Sequence, residues 1–385
     1  MTDLNVPAKE QLPTTKYQRD NMNFPTDYDS ILKRIQEIEP VAYCKSRNFL
    51  DGKVTYLSPY ISRGVISTKQ VFDHVMTLGF KPYQIEKMLQ ELAWRDYWQQ
   101  SWMHKEGGID HDIRNPQNGV TTHEISTVLV EAKTDITAID QGIEELYETG
   151  YMHNHLRMYT AAIACNLGKN HWKLPAQWMY YHLLDADWAS NGLSWQWVAG
   201  TNSNKQYIAN QENINKYCKT SDKGTFLDIP YEVLGELEQP EILKPTQKLE
   251  LKTPLPQKKE LEINERLPTA VYTFYNLDPN WRKEMEMNRV LILEPSFFEK
   301  YPSSQKVIDF LLGLTKNIPN CQVFVGEFDD FQNSFSTPQI YFKEHPTSTH
   351  FRGIEDARDW IAPEVQGDFR SFFGYWKKVK KSLKL

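Results

Sequence analysis

The sequence predicts a mainly α-helical protein that ends in a small α/β domain, and three observations lead to this prediction. Apolar side chains recur at three- and four-residue spacing through most of residues 28–218, as is typical of helices. Residues 236–268 are rich in Pro, Lys and Glu and poor in aromatics, which is linker composition. Short β-rich runs follow. We therefore expect a helical domain over 1–235, a linker over 236–268 and a small C-terminal α/β domain over 269–385.

Individual segments carry these patterns in chain order. The predicted helices of the first domain are DSILKRIQEI, TKQVFDHVMTL, YQIEKMLQELAWRDYWQQSW, AIDQGIEELYETG and NHLRMYTAAIACNLG. In the second domain, RVLILEP, CQVFVGEF and PQIYF are predicted strands, and SSQKVIDFLLGLTKN is a predicted helix. The final YWKKVKKSLKL predicts a basic amphipathic helix, which we interpret as a solvated face.

Composition narrows the class of protein. The sequence has no run of about 18 apolar residues, and its start, MTDLNVPAKEQLPTTKYQRD, lacks the pattern of a signal peptide. We therefore expect a cytoplasmic protein with no membrane partner. Four widely separated cysteines predict neither a metal site nor a disulfide framework. A net charge of -6 argues against unselective nucleic-acid binding but allows a local basic groove.

Three predicted helices each place polar and aromatic side chains on one face. These sets are Glu91, Trp94, Arg95 and Trp98; Asn154, Arg157 and Met158; and Asp187, Asn191 and Trp195. Each set alone also fits an ordinary ion pair beside a tryptophan-filled core. Together they supply an arginine and carboxylates for a flavin, with hydroxyls at Thr55 and Ser58 for its pyrophosphate. No GxGxxG or GxxxxGK[ST] pattern competes for that role.

Four motifs resemble those of the flavin domain of photolyases and cryptochromes. They are YLSPYISRGVIS, ELAWRDYW, GYMHNHLRM and LLDADWASNGLSWQWVAGT, which occur in the family's order between Tyr43 and Thr201. The resemblance implies a helical photolyase-type domain that binds FAD in a folded conformation. By this resemblance, the residues around the FAD phosphates are Tyr43, Thr55, Leu57, Ser58 and Arg95. Arg157 would pair with Asp185 beside the flavin ring. Asp187 would lie at the ring or ribose, and Asn191 would face flavin N5.

The same resemblance implies an electron path and a lesion pocket. Trp195 and Trp172 match the inner members of a tryptophan chain that donates electrons to the flavin. The outer member is Trp178, Tyr151 or another aromatic residue, or the electron-transfer chain is shorter than in the family. Side chains that match contacts to a cyclobutane pyrimidine dimer are Glu91, Asn154 and Met158, between aromatic walls at Trp94 and Trp197. The expected partner is damaged DNA, single-stranded or duplex.

The sequence also departs from the family pattern. His155 stands where members usually have a phosphate-contacting arginine, and KQYIANQENINKY replaces an arginine-bearing stretch, which should weaken DNA binding. The paired histidines of six-four photoproduct enzymes are absent. Members usually carry an α/β antenna domain before the flavin domain, where this sequence has only a short segment. The C-terminal strand-helix-strand unit faintly resembles part of it, and we expect no bound antenna.

Two functions are compatible with these features. The first is a photolyase, a lyase that repairs cyclobutane dimers by electron transfer from light-excited reduced FAD. The alternative is a non-catalytic, cryptochrome-like blue-light photoreceptor with a protein partner, which the missing arginines favour. A light-independent flavin oxidoreductase is disfavoured because nothing resembles a nicotinamide site.

Overall fold

The computed structural model describes residues 22–385, so the N-terminal segment that lacks a signal-peptide pattern, residues 1–20, lies outside the described residues. The described residues form 15 α-helices, and all the predicted helices are confirmed. In chain order the helices are α1 Tyr28–Gln36, α2 Pro40–Ser46, α3 Ser58–Ser62, α4 Thr68–Thr77, α5 Pro82–Lys105, α6 Thr127–Val130, α7 Thr137–Thr149, α8 Asn154–Ala162, α9 Lys173–His182, α10 Trp188–Ala199, α11 Gln211–Cys218, α12 Pro295–Lys300, α13 Gln305–Thr315, α14 Phe328–Ser334 and α15 Phe372–Leu383.

The C-terminal part contains a parallel sheet, which confirms the α/β prediction. Its strands are β3 Thr269–Tyr272, β4 Asn288–Leu293, β5 Cys321–Val325, β6 Ile340–Lys343 and β7 Ile354–Asp356, and a separate antiparallel pair consists of β1 Ile125–Ser126 and β2 Thr246–Gln247. The sheet order is β5-β4-β3-β6-β7, so the direction of winding reverses between β3 and β6. Parallel sheets are normally covered on both faces, and this one is too.

The two faces of the sheet pack differently. On one face, Val271, Ile292 and Phe331 belong to a small apolar cluster with α14. On the other face, Leu291 belongs to a large core that also includes Tyr60 of the helical part. Because one core joins both parts, the sheet is packed against the helices and is not tethered at a distance.

Residues of the predicted linker follow the surface of both parts. Strand β2 pairs with β1 of the helical part, and Leu243 is fully buried. The Tyr181 hydroxyl donates to the carbonyl oxygen of Lys252, and the Ser303 amide donates to Thr253 Oγ1. The domain limits at 235 and 268 stay a prediction.

A close backbone approach joins α3 to the loop after β3. Gly64 has a φ of 64°, and a Cβ there would lie 2.4 Å from the carbonyl oxygen of Tyr275. The Leu277 amide donates to the carbonyl oxygen of Arg63, whose buried guanidinium lies 3.6 Å from the Phe274 ring centroid. Only glycine allows both this left-handed conformation and this distance.

Candidate functional site

The candidate residues lie on a few elements of the helical part. Tyr43 is on α2, Thr55 and Leu57 precede α3, and Ser58 begins α3. Helix α5 carries Glu91, Trp94 and Arg95, and helix α8 carries Asn154, Arg157 and Met158. Trp172 precedes α9, Asp185 and Asp187 precede α10, and α10 itself carries Asn191, Trp195 and Trp197. Helix α5 has 24 residues and starts with Pro82 in its first turn, where proline is favoured. Helix α10 starts at its N-cap Asp187 and ends before Gly200 in the left-handed conformation.

The pair predicted beside the flavin ring is formed. Arg157 Nη2 lies 3.0 Å from Asp185 Oδ2, and Arg157 Nε donates to the carbonyl oxygen of Met152. Burial raises the pKa of the Asp185 carboxyl, but Arg157, Ser58 and Arg95 together outweigh this effect and hold the pKa below its usual value. Asp185 is therefore ionised at neutral pH.

A second buried pair connects α5 to α10. Arg95 Nη1 lies 3.5 Å from Asp187 Oδ2, which also accepts a 2.6 Å hydrogen bond from Gln99 Nε2. Arg95 Nη1 donates to Ser62 Oγ at 2.7 Å, and that hydroxyl donates to the carbonyl oxygen of Asp185. Ser62 thus joins the two ion pairs into one network.

The two carboxylates differ in what they offer a ligand. Asp185 Oδ1 is buried without a hydrogen-bond partner, so an N–H or O–H of a bound ligand would satisfy it. Asp187 Oδ1 accepts from the Ser190 amide, and its Oδ2 accepts from Gln99, so both oxygens already have partners. Asn191 Nδ2 donates to the carbonyl oxygen of Ala176, which leaves its amide oxygen for a ligand. A carboxylate, an amide oxygen and two arginines fit the polar edge of a flavin.

Glu91 and Tyr43 form a cluster on the adjoining side of α5. Arg47 Nη2 lies 3.2 Å from Glu91 Oε1. Burial and the nearby Glu91 raise the pKa of the Tyr43 hydroxyl, so it stays protonated and can donate a hydrogen bond. Tyr43 and Thr55 line one cleft with Lys53, Glu37 and Glu39, and Lys53 is ion-paired to Glu39 at 2.7 Å. The assignment of Tyr43 and Thr55 to the phosphates stays a prediction.

The structure gives the two predicted aromatic walls different surroundings. Trp94 is partly buried, and the ring of Phe372, from α15, stacks on it at 3.9 Å between centroids and 8° between planes. Trp197 is 42% exposed and has Tyr207 beside it at 5.9 Å. One face of the Trp94 indole is therefore covered by the chain itself.

The two predicted electron-transfer tryptophans, Trp195 and Trp172, are both buried. The Trp172 ring lies 6.2 Å from that of Trp188, which the sequence did not single out. Trp188 Nε1 donates to Asp110 Oδ1 at 2.7 Å. Trp178 has Tyr147 as a ring neighbour and Tyr151 has Tyr56, whereas Trp188, which is 1% exposed, is a ring neighbour of Trp172. The identity of the outer member stays a prediction.

His155 does not replace the missing arginine as a positive charge. Burial, with the positive charge of Arg47, lowers the pKa of His155 to about 4, so the ring is neutral at pH 7. Lys205 and Lys216 are exposed. The weakened phosphate binding inferred from the sequence stays a prediction.

A cavity of about 120 Å³ lies where the sheet meets α5. It is lined by Arg95 and Asp187 from the helical part and by Glu344 and Arg358 from the sheet part. Arg358 Nη1 donates to Gln99 Oε1 at 2.6 Å. Gln99 therefore connects Asp187 directly to the α/β part.

Within residues 22–385, no cluster of three or more His, Cys, Asp or Glu side chains is arranged to hold a metal ion. All four cysteines are free thiols. The same span contains no helix with the length and apolarity needed to cross a membrane.

Comparison with protein families defines the helical part as a flavin-binding domain. The family described as "FAD binding domain of DNA photolyase" matches residues 88–285, just over half of the chain. The chain belongs to the photolyase and cryptochrome family, and its cofactor is FAD.

The relatives are distant and longer. The deoxyribodipyrimidine photo-lyase of Vibrio cholerae is 26% identical over 225 residues, covering 54% of this chain and 47% of the relative. That of Alkalihalophilus pseudofirmus is 27% identical, covering 44% and 36%. Cryptochrome DASH of Danio rerio is 29% identical, covering 41% and 32%. The chain thus spans half or less of the length of these curated relatives.

Solved structures of the same family are similar over about half of the chain. A bacterial class III photolyase from Agrobacterium tumefaciens is 23% identical with a TM-score of 0.45, covering 54% of this chain and 46% of that one. The Synechocystis cryptochrome is 20% identical with a TM-score of 0.44, covering 49% and 42%.

Proposed function

We propose that this protein is a light-driven photolyase that repairs cyclobutane pyrimidine dimers in DNA. The supporting observation is the arrangement on α5. Arg95 joins the network that holds Asp185 and Asp187, while Glu91 and Trp94 lie on the same helix within one turn of it. Cofactor-binding and lesion-contacting groups therefore share one rigid element, which fixes their relative positions.

The chain's own residues would bind and orient both molecules. When bound and reduced, FAD supplies under light the electron that opens the cyclobutane ring, and regains it afterwards. Arg157, Asp185 and Asn191 would hold its ring edge. Glu91, already ion-paired to Arg47, would accept hydrogen bonds from the flipped-out bases, with Trp94 and Trp197 beside them.

Removal of the Glu91 carboxylate tests the enzyme function. We expect Glu91→Ala to lower dimer repair because a polar contact to the lesion is lost, at a cost of about 1 to 3 kcal/mol. Repair is measured with reduced protein, a single-stranded oligonucleotide containing one dimer, low salt and light. Glu212→Ala, at an exposed site on α11, should repair normally. Bound FAD and its photoreduction should be unchanged in both variants; absence of repair by the unmodified protein contradicts the proposal.

A photoreceptor function is a second candidate, favoured by two contacts of the α/β part. Phe372 covers one face of Trp94, and Arg358 reaches Asp187 through Gln99. A light-induced change at the flavin would then alter the contacts that Phe372 and Arg358 make with α5, which hold the α/β part in place. This candidate predicts faster amide hydrogen exchange in residues 358–361 under light, measured by mass spectrometry, and loss of the light effect in Gln99→Ala. Equal exchange in light and dark contradicts it.

A further inference from the structure

We propose that the outward face of α15 binds the phosphate backbone of single-stranded DNA. This inference rests on the proposed repair function and adds the surface that would replace the missing arginines. The surface, called here the lysine stripe, consists of Phe373, Lys377, Lys381 and Lys384. It lies beyond residues 88–285, the part of the chain that the family match covers.

Helix α15 has one face committed to packing and one that is open. Its buried side chains include Phe372, Tyr375, Trp376 and Val379, which face the core. Trp376 Nε1 and Lys380 Nζ both lie within hydrogen-bond distance of Glu86 Oε1 on α5. Phe373, Lys377 and Lys381 follow the opposite side at spacings of four residues, and Lys384 is the left-handed C-cap that comes directly after the helix. All four side chains are exposed.

The charges of the stripe have no counterparts among the residues that the structure describes. Among residues 22–385, no carboxylate forms an ion pair with Lys377, Lys381 or Lys384, whereas Lys380 is paired with Glu86. Helix α15 contains no Asp or Glu. Lys377 and Lys381 repel each other across one turn, which destabilises an isolated helix. The helix dipole favours lysines in the last turn but not Lys377. Bound phosphates would relieve this repulsion.

An exposed ring beside the lysines points to a nucleic acid. Phe373 is 66% exposed, although aromatic side chains are normally buried. A flat ring next to a row of cations is the arrangement with which proteins stack bases and neutralise phosphates of single strands. From Phe373 to Lys381 the stripe extends about 12 Å along the helix. It can therefore contact several successive nucleotides.

One end of the stripe adjoins a contact of the candidate lesion pocket. Phe372, the residue before Phe373, stacks on Trp94 at 3.9 Å. The stripe itself lies on the outward side of α15, so the helix separates its lysines from that indole. A membrane surface is disfavoured as the partner, because the apolar face of α15 is already buried against α5 and cannot insert into lipid.

The test measures binding of an undamaged, fluorescent single-stranded oligonucleotide to the FAD-loaded protein in the dark. We expect the triple variant Lys377→Gln, Lys381→Gln, Lys384→Gln to bind on the order of tenfold more weakly at low salt. The slope of log affinity against log salt concentration should fall by about 2, since each phosphate contact contributes about 0.7 on single strands. Phe373→Ala should weaken binding with the slope unchanged.

A matched control carries the same change of charge elsewhere. Lys258→Gln, Lys259→Gln, Lys283→Gln alters three exposed lysines away from α15 and should bind as the unmodified protein does. Folding of every variant is checked by circular dichroism and FAD content. Equal binding by the stripe and control variants overturns the inference. Equal stripe-dependent binding of poly-glutamate or phosphatidylserine vesicles also overturns it, since the surface would then be a general anion-binding one.

The outcomes separate this inference from the proposed function. If the protein repairs no dimer but its DNA binding depends on the lysine stripe, the DNA-binding surface is supported and the proposed repair function is contradicted. If the stripe variant repairs dimers and binds DNA normally, the repair function is supported and the DNA-binding surface is contradicted.

Discussion

Asp185→Ala is expected to destabilise the protein by about 3 kcal/mol, because removal of one partner of a buried ion pair leaves the other charge without compensation. The charge left behind is Arg157, whose side chain is only 22% exposed. The same change removes the buried oxygen that has no hydrogen-bond partner among the described residues, so we also expect FAD to be lost during purification. Thermal unfolding and the flavin absorbance of the purified protein measure the two effects.

A double-mutant cycle isolates the interaction between the two side chains. Arg157→Met with Asp185→Ala should be more stable than Asp185→Ala alone, since no unpaired charge remains. Asp228→Ala, at an exposed carboxylate, is the control and should retain stability and FAD. Full FAD occupancy in Asp185→Ala would exclude a role of this carboxylate in the cofactor site.

Trp172→Phe and Trp195→Phe are expected to suppress the photoreduction of bound FAD almost completely, because phenylalanine is much harder to oxidise than tryptophan. Both changes keep an aromatic ring in the core, so folding and FAD content should be preserved. Trp188→Phe should reduce the yield of long-lived charge separation, since Trp188 lies beside Trp172 and its indole N–H donates to Asp110. Transient absorption after a light pulse measures both quantities.

Trp178→Phe provides the matched control, because Trp178 is equally buried but is a ring neighbour of Tyr147 and His182. It should photoreduce normally. If Trp178→Phe lost the long-lived state and Trp188→Phe kept it, the outer member would be Trp178, one of the residues considered from the sequence.

Local sequence patterns predicted the helices well, since each buries one face at a regular spacing. Strands β3 and β7 were missed: β3 is fully buried and only four residues long, and β7 has three residues with Ile354 43% exposed, so neither shows alternation. Gln99 follows Arg95 by four residues, and the same helical spacing could have identified it. Ser62 lies inside the YLSPYISRG motif and was overlooked.

For other residues of the site, the neighbouring sequence gives no indication that they belong to it. Phe372 reaches Trp94, and Arg358 reaches Gln99, from more than 250 residues further along the chain. Such contacts depend on how the sheet part packs on α5, which neither periodicity nor a motif encodes. The electrostatic state of His155 likewise depends on burial and on Arg47, so its neutral form could not be read from residue type.

The position of Gln99 has a thermodynamic consequence. Its amide nitrogen donates to Asp187 and its oxygen accepts from Arg358, so one side chain is shared by the candidate cofactor site and the packed sheet. Ligand affinity and attachment of the α/β part are then linked equilibria, and linkage is reciprocal. If bound FAD tightens this attachment by some factor, the attached sheet must raise the affinity for FAD by the same factor. Under that condition, cofactor retention depends on both halves of the chain.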